Sequence, residues 1–183
     1  MRLSKIYTRK GDDGNTSLGG QRLPKNHPLV ETLGTVDELN CAVGLILAFG
    51  IADKTLSEKL TQVQQNLFNL GGELAEPRFQ ALNEKQVTEL EQAINGWNQT
   101  LPPLKEFLLP RGTPATVACH LARTICRRAE RNLVELHQAQ PLKNISLLHY
   151  LNRLSDFLFV AARIVAQQHH CDETLWDHHP QNS

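Results

Sequence analysis

An unbroken apolar stripe at helical spacing constrains this chain more than any other feature. Leu56, Leu60, Val63, Leu67, Leu70 and Leu74 follow one another in alternating four- and three-residue steps. That spacing puts all of them on one face of a helix and rules out a strand, whose side chains change face at every residue. A helix with a continuous apolar face has to bury it against other elements. Asp53 and Thr55 are the capping candidates at its start, and Pro77 sets its limit because proline cannot continue the hydrogen-bond ladder.

The same period recurs along the chain. A first helix is predicted from Pro28, suited to a first helical turn, to about Phe49, with Gly50 placed to end it. Val87, Leu90, Ile94 and Trp97 mark a third helix, opened by Asn83 with Gln86 three residues on and closed by Pro102 and Pro103. Thr113 and Pro114 read as cap and first-turn proline of a fourth, whose stripe Ala118, Leu121, Ile125, Ala129, Leu133 and Leu136 runs to about His137. A fifth begins near Asn144 and carries Leu147, Leu151, Leu154, Leu158, Ala161 and Val165. Five amphipathic helices with mostly short connections predict an all-α, antiparallel five-helix bundle. At 183 residues and 40% hydrophobic content the chain fits a single domain. Within it, residues 1–25 form an irregular, glycine-rich arm without helical period, 28–168 the bundle, and 169–183 a polar, flexible tail.

Nineteen basic residues balance nineteen acidic ones. The weak long-range field gives no basis for nucleic-acid binding, so any anion site must be local. The four cysteines contain no CxxC pair, and Cys119 and Cys126 suit packing within one helix, which points to a reducing compartment. The first residues lack the apolar stretch of a secretory signal, and no run approaches the ~18 apolar residues of a membrane span. A cytoplasmic protein that does not enter the membrane is expected.

Several constellations could carry chemistry. In the arm, Arg9, Lys10, Arg22 and Lys25 surround Gly11, Gly14, Gly19 and Gly20, interleaved with Thr8, Thr16 and Ser17. Glycines let backbone approach an anion, and the hydroxyls and cations suit a polyphosphate, but the same composition also describes a plain turn-rich arm. It is neither a Walker loop nor an EF-hand, since the Gly-Lys-Ser/Thr of the one and the closing glutamate of the other are missing. In the fourth helix Arg123, Arg127 and Glu130 share a face, and Arg127 and Arg131 share another. Like charges four apart call for an anion or a carboxylate; a solvated basic face balanced by Glu130 fits equally. Asp37 stands among Leu33, Val36, Asn40 and Gly44, inside the first helix's apolar stripe, where a carboxylate wants an arginine. Asn152 and Asp156 form a polar pair beside the fifth stripe, either satisfying the core or contacting a ligand. A ferritin-type di-iron site is excluded because no Glu-x-x-His exists in the chain. His169, His170, Cys171, His178 and His179 could bind a metal, but their irregular spacing in a polar tail disfavours it.

Taken in order, YTRKGDDGNTSLGGQRLPK, GTVDELNCAVG, FLLPRGT, CHLARTICRRAER and YLNRLSDFLFVAAR resemble the ATP:cob(I)alamin adenosyltransferases of the propanediol-utilisation type over nearly the whole chain. The resemblance implies a ferritin-like five-helix bundle, assembly as a homotrimer, magnesium as cofactor, and ATP held between subunits by one subunit's arm and its neighbour's arginine helix. By position, Thr8, Arg9, Lys10, Gly11, Thr16, Ser17 and Lys25 would hold the polyphosphate and nearby parts of ATP. Arg127, Arg128, Ala129, Glu130, Arg131 and Asn152 would complete the nucleotide site. Asp37 and Arg123 would pair across subunits, and Phe107, otherwise an ordinary buried aromatic, would face the corrinoid. Lys10 stands where the family often has threonine, and Arg111 where it often has glycine.

The reaction so implied is attack of cob(I)alamin on the ribose 5′ carbon of ATP with loss of triphosphate. The corrinoid supplies the nucleophile, so the protein needs none, and this sequence offers no persuasive one. Catalysis would come from orienting ATP and stabilising charge on the leaving triphosphate, with Lys10, Arg127 and magnesium as the agents. A cob(II)alamin reductase and adenosylcobalamin-dependent enzymes are the expected partners. The alternative is a non-catalytic helical module that holds nucleotide or corrinoid and passes it on.

Overall fold

The computed structural model describes Tyr7, residues 9–76 and residues 78–178. Five helices follow a short hairpin: α1 (Pro28–Ala48), α2 (Lys54–Ala75), α3 (Glu84–Asn98), α4 (Pro114–Ala139) and α5 (Ser146–Gln168). Their starts obey local chemistry. His27 caps α1 through Nδ1, which accepts from the Leu29 amide, and Pro28 follows. Asp53 Oδ1 accepts from Leu56 N at α2, and Thr113 caps α4 ahead of Pro114. Asn83 and Gln86 close a reciprocal capping box on α3. The fifth helix starts at Ser146 rather than Asn144 because Asn144 Oδ1 accepts from the Ser146 amide and stays outside.

α1 lies between α2 and α4, α4 packs on α5, and α5 on α3. Cross-helix bonds give the directions. Asn40 and Gln64 exchange side-chain-to-carbonyl bonds between α1 and α2, whereas Thr35–Asn132 and Glu38–Arg128 join α1 to α4 with numbers rising on one helix as they fall on the other. Glu91–Arg153 and the Trp97–Phe157 ring pair join α3 to α5 with numbers rising together. Successive helices thus alternate in direction, and the spatial neighbours α3 and α5 are parallel. The α2 and α5 stripes read from spacing are buried throughout, and one apolar cluster joins all five helices. In α4 the stripe turns slightly: Leu121 is exposed, and Ala115, Cys119, Ala122 and Cys126 line the core instead. These small side chains let α1 and α5 approach α4 closely.

Two expectations are corrected. The arm is not irregular throughout: β1 (Asn15–Leu18) pairs antiparallel with β2 (Gln21–Pro24), Thr16 opposite Leu23 and Ser17 opposite Arg22. The two-residue connection is Gly19-Gly20 with φ 55° and 77°, as a type I′ turn requires. The tail is not loose as far as His178. Leu109 N donates to Thr174 O at 2.9 Å and Trp176 N to Phe107 O at 2.7 Å, with Leu108 and Leu175 bridged antiparallel between them.

A Cβ at Gly19 would lie 2.5 Å from the Ala75 carbonyl oxygen, whereas one at Gly20 would meet nothing within 4 Å. Both residues have positive φ, which costs a substituted alanine about 1–2 kcal/mol. Gly19→Ala is therefore expected to loosen the hairpin from the end of α2 well beyond the effect of Gly20→Ala. Hydrogen exchange should show the excess in the amides of residues 15–24 and leave α5 protection intact; equal effects in the two variants would contradict the contact.

Candidate functional site

The arm is a closed turn built around Asp13. Arg22 Nη2 donates to both Asp13 carboxylate oxygens at 2.8 Å and to the Lys10 carbonyl at 2.7 Å. Lys25 N donates to Gly14 O at 2.9 Å, which ties the far end of β2 back to the loop. The Arg22 hydrogen bond, then that from the Asn15 amide, holds the Asp13 carboxyl down at about 2. At Gly11 a Cβ would sit 3.2 Å from the Asn15 carbonyl and 3.4 Å from Lys25 Nζ, so glycine lets the lysine lie along the loop. Arg9 adopts φ 60° and places its guanidinium 5.8 Å from the Tyr7 ring centre. Thr16 is half-buried and Ser17 exposed on β1. Arg22 is thus structural, while Lys10 and Lys25 are exposed and have no ion-pair partner among the described residues. Thr8 lies outside the described residues.

On α4 the arginines divide in the same way. Arg128 pairs with Glu38 of α1, and Arg131 Nη1 donates to the Arg127 carbonyl at 3.0 Å. The Arg127 guanidinium is exposed and unpaired among the described residues. Glu130 Oε1 accepts from Asn152 Nδ2 at 2.8 Å, so Asn152 fixes this carboxylate through an amide rather than a charge. Ala129 is fully buried, its side chain turned to the core. Arg127, Glu130, Arg131, Val134, Glu135 and Gln138 line an open groove of about 380 Å³. Asp156 pairs instead with Arg153, at 3.2 Å.

Arg123 Nε is buried without a partner, and burial first, then Arg127, lowers its pKa. Asp37 does not enter the core: it is exposed, because the buried face of α1 runs through Thr32, Thr35, Val36, Leu39 and Asn40. Asp37 and Arg123 are not paired within the chain. Nor does any hydrogen bond or ion pair among the described residues join the arm to the Arg123–Arg131 face. Phe107, in the α3–α4 connection, is 75% exposed, which rules out the ordinary buried aromatic. Its ring centre lies 6.3 Å from that of Trp176. Burial pushes the Cys119 thiol up to about 12 and raises that of Cys126, so neither serves as a nucleophile.

Sequence reasoning missed Glu38, the partner of Arg128, and the tail residues Glu173 and Trp176. One signal existed for the tail. Arg163 interrupts the run VAARIVA, with no acidic residue one turn away on its own helix, and a cation so placed implies a carboxylate from elsewhere.

The sequence profile of the cobalamin adenosyltransferase family matches residues 6–165. The chain belongs to this family. A cobalamin adenosyltransferase from Cupriavidus metallidurans is 45% identical over 176 residues, covering 96% of this chain and 95% of that protein. A corrinoid adenosyltransferase from Bacillus subtilis is 43% identical, covering 88% and 86%. Among solved structures, a phenylalanine-to-histidine variant of the PduO-type ATP:corrinoid adenosyltransferase from Lactobacillus reuteri, complexed with cobalamin and ATP, superposes with a TM-score of 0.90. It is 39% identical and the match covers 95% of this chain and 97% of that one. The family's fold therefore extends over the arm, the bundle and the connection that carries Phe107.

A pH dependence follows from Asp13. The hydrogen bonds from Arg22 and the Asn15 amide hold its carboxyl down at about 2, below the usual carboxylate range. A depressed folded pKa contributes order that is fully present above the unfolded value and lost as pH falls through the folded one. The arm is therefore expected to hold its turn above pH 4 and to open progressively between pH 4 and about 2. Asp13→Asn should abolish that transition. Chemical shifts of the Asn15 and Lys25 amides report it; an arm equally ordered at both ends of the range would contradict the role given to Asp13.

Proposed function

We propose that this protein transfers the 5′-deoxyadenosyl group of ATP to the cobalt of cob(I)alamin, giving adenosylcobalamin and triphosphate. The observation that carries the reading is that a protein with this fold, matched along nearly its whole length, is complexed with cobalamin and ATP. The distribution of charge supports it. Among the exposed cations with no ion-pair partner in the described residues, Lys10 and Lys25 on the arm and Arg127 on α4 are assigned to a triphosphate, with Arg9, Gly11, Thr16 and Ser17 beside them. Thr8 is assigned to the same set. Arg128, Ala129, Glu130, Arg131 and Asn152 shape the other wall, where the Glu130–Asn152 bond fixes polar groups for the nucleoside.

In the reaction, the cobalt electron pair of cob(I)alamin displaces triphosphate from the 5′ carbon: one Co–C bond forms as one C–O bond breaks. The protein's part is to align the two substrates and to receive the negative charge that gathers on the departing triphosphate. Lys10 and Arg127 are assigned to that charge, Arg127 as a planar fork. Among the described residues no group of three or more His, Cys, Asp or Glu could hold a metal. Magnesium therefore fits best as an ion carried largely by the triphosphate oxygens and water, which suits its coordination habits. Phe107 is assigned to the lower face of the corrin, where an apolar ring excludes water and offers no lone pair to cobalt.

A site divided between subunits explains why the arm and the arginine face do not meet within one chain. We assign the assembly as a homotrimer in which Asp37 of one subunit meets Arg123 of the next. The buried, unpartnered Arg123 Nε and the exposed Asp37 support this pairing. A cob(II)alamin reductase upstream and adenosylcobalamin-dependent enzymes downstream complete the reading. No described helix is long and apolar enough to cross a membrane, and all four cysteines are free, as suits the reducing cytoplasm to which we assign it.

Incubation with ATP, magnesium and chemically reduced cobalamin tests the activity directly. The corrinoid spectrum should change to that of light-sensitive adenosylcobalamin with release of triphosphate; binding without that change would make the protein a carrier. Arg127→Lys should cost about 10²–10³ in rate with the fold intact, because an ammonium does not reproduce the fork. Near-normal turnover at saturating ATP would remove Arg127 from the chemistry. Asp37→Ala or Arg123→Ala should each weaken assembly, at about 3–5 kcal/mol for a broken buried pair, and the double variant should recover part of the loss. Simple additivity, measured by sedimentation and activity, would show that the two do not touch.

A further inference from the structure

Phe107 poses a physical problem. A ring that is 75% exposed is not held by packing, yet an aromatic that is to meet a flat ligand must keep a fixed direction. Its backbone belongs to the fifteen-residue connection between α3 and α4, which has no helix or sheet of its own. What holds this connection is the tail. Trp176 N donates to the Phe107 carbonyl at 2.7 Å and Leu109 N to the Thr174 carbonyl at 2.9 Å, a short antiparallel ladder with Phe107 on it. The Trp176 ring flanks that of Phe107. The tail, in turn, is tied to a side chain of the bundle. Arg163, 3% exposed on α5, grips Glu173 with two parallel bonds, Nε to Oε1 at 2.6 Å and Nη2 to Oε2 at 3.0 Å. The same Nη2 donates to the Pro102 carbonyl at 2.7 Å, at the start of the connection.

We infer that the pair of buried Arg163 with half-buried Glu173 is a positioning device that sets the direction of Phe107 by clamping the α3–α4 connection and the tail to the same guanidinium. A buried ion pair contributes little net stability compared with apolar residues of the same volume, and its distinctive property is geometry. The planar fork fixes the carboxylate in orientation as well as distance. A third bond in the same plane carries that reference to Pro102, five residues before Phe107. Neither Arg163 nor Glu173 touches substrate. They act through Phe107, and the inference rests on the reading that Phe107 faces the corrinoid.

The test uses full-length Glu173→Ala, Phe107→Ala and the double variant. For each, KM and kcat are measured separately for ATP and for cob(II)alamin with a reductant, together with the spectrum of bound cob(II)alamin. If the clamp positions Phe107, Glu173→Ala leaves KM for ATP and the assembly unchanged but lowers corrinoid turnover by up to roughly 10²-fold. It also weakens the four-coordinate cob(II)alamin signal, and the double variant is no worse than Phe107→Ala alone. Glu173→Gln, which keeps the shape and one acceptor, should fall between wild type and Glu173→Ala, and it carries the same test if Glu173→Ala does not fold. Equal losses toward ATP and corrinoid, or losses that add in the double variant, would reduce the pair to a structural role and overturn the inference. An unchanged signal in Phe107→Ala would instead remove Phe107 from the corrinoid face, a failure of the underlying reading that the Phe107 variant alone reveals.

Discussion

The structure hangs on the burial of α5. From Val160 to Ala166 every residue of this helix is buried, and Leu147, Tyr150, Leu151, Leu154, Phe157 and Leu158 continue the apolar surface toward its start. A helix apolar over so much of its circumference cannot lie on a surface and must be enclosed. α4 covers one side and α3 another, and α1 and α2 close the bundle beyond α4. Once α5 is enclosed, the register of α4 is set by its small residues, Ala118, Ala122, Cys126 and Ala129, which let the two backbones approach. That register decides which α4 side chains face outward. Arg127 and Arg131 face the groove because Cys126 and Ala129 face the core.

The second organising principle is the allocation of charge. With as many acidic as basic residues, most cations in the chain can find a carboxylate, and many do: Arg22 with Asp13, Arg128 with Glu38, Arg153 with Glu91, Arg163 with Glu173. These pairs differ in worth. The exposed ones are screened by water and contribute little. The Arg163 pair fixes geometry, at the cost of desolvating the guanidinium and part of the carboxylate. Lys10 and Lys25 on the arm and Arg127 on α4 have no ion-pair partner among the described residues, and they lie on two surfaces that no hydrogen bond or ion pair joins within one chain. The proposed assembly would bring these two surfaces together between copies.

The periodic parts of this chain were legible because their cause is local. Leu56 through Leu74 declare a helix by spacing alone, and Asn83 with Gln86 declares where one starts. The hairpin is equally local, since Gly19-Gly20 between two four-residue extended segments marks a type I′ turn. The order of the tail has a distant cause. A polar, histidine-rich composition predicts looseness, but the tail is held by a ladder to residues more than sixty positions earlier and by a charge on α5, neither of which its own composition reveals.

The sequence by itself therefore determined the number of helices, most of their limits, the core stripes, and through five ordered motifs the family, since each depends on neighbours within a turn or two or on a pattern carried along the chain. Tertiary structure alone decided which charges are neutralised and which remain free. Arg128 and Arg127 are adjacent and chemically identical, yet one is paired because Glu38 of α1 lies beside it and the other is not. It likewise decided that Asp37 is exposed and Phe107 is held outward, because rotation of a helix against its neighbours and the path of a connection between helices are set by packing at distances that no local period encodes.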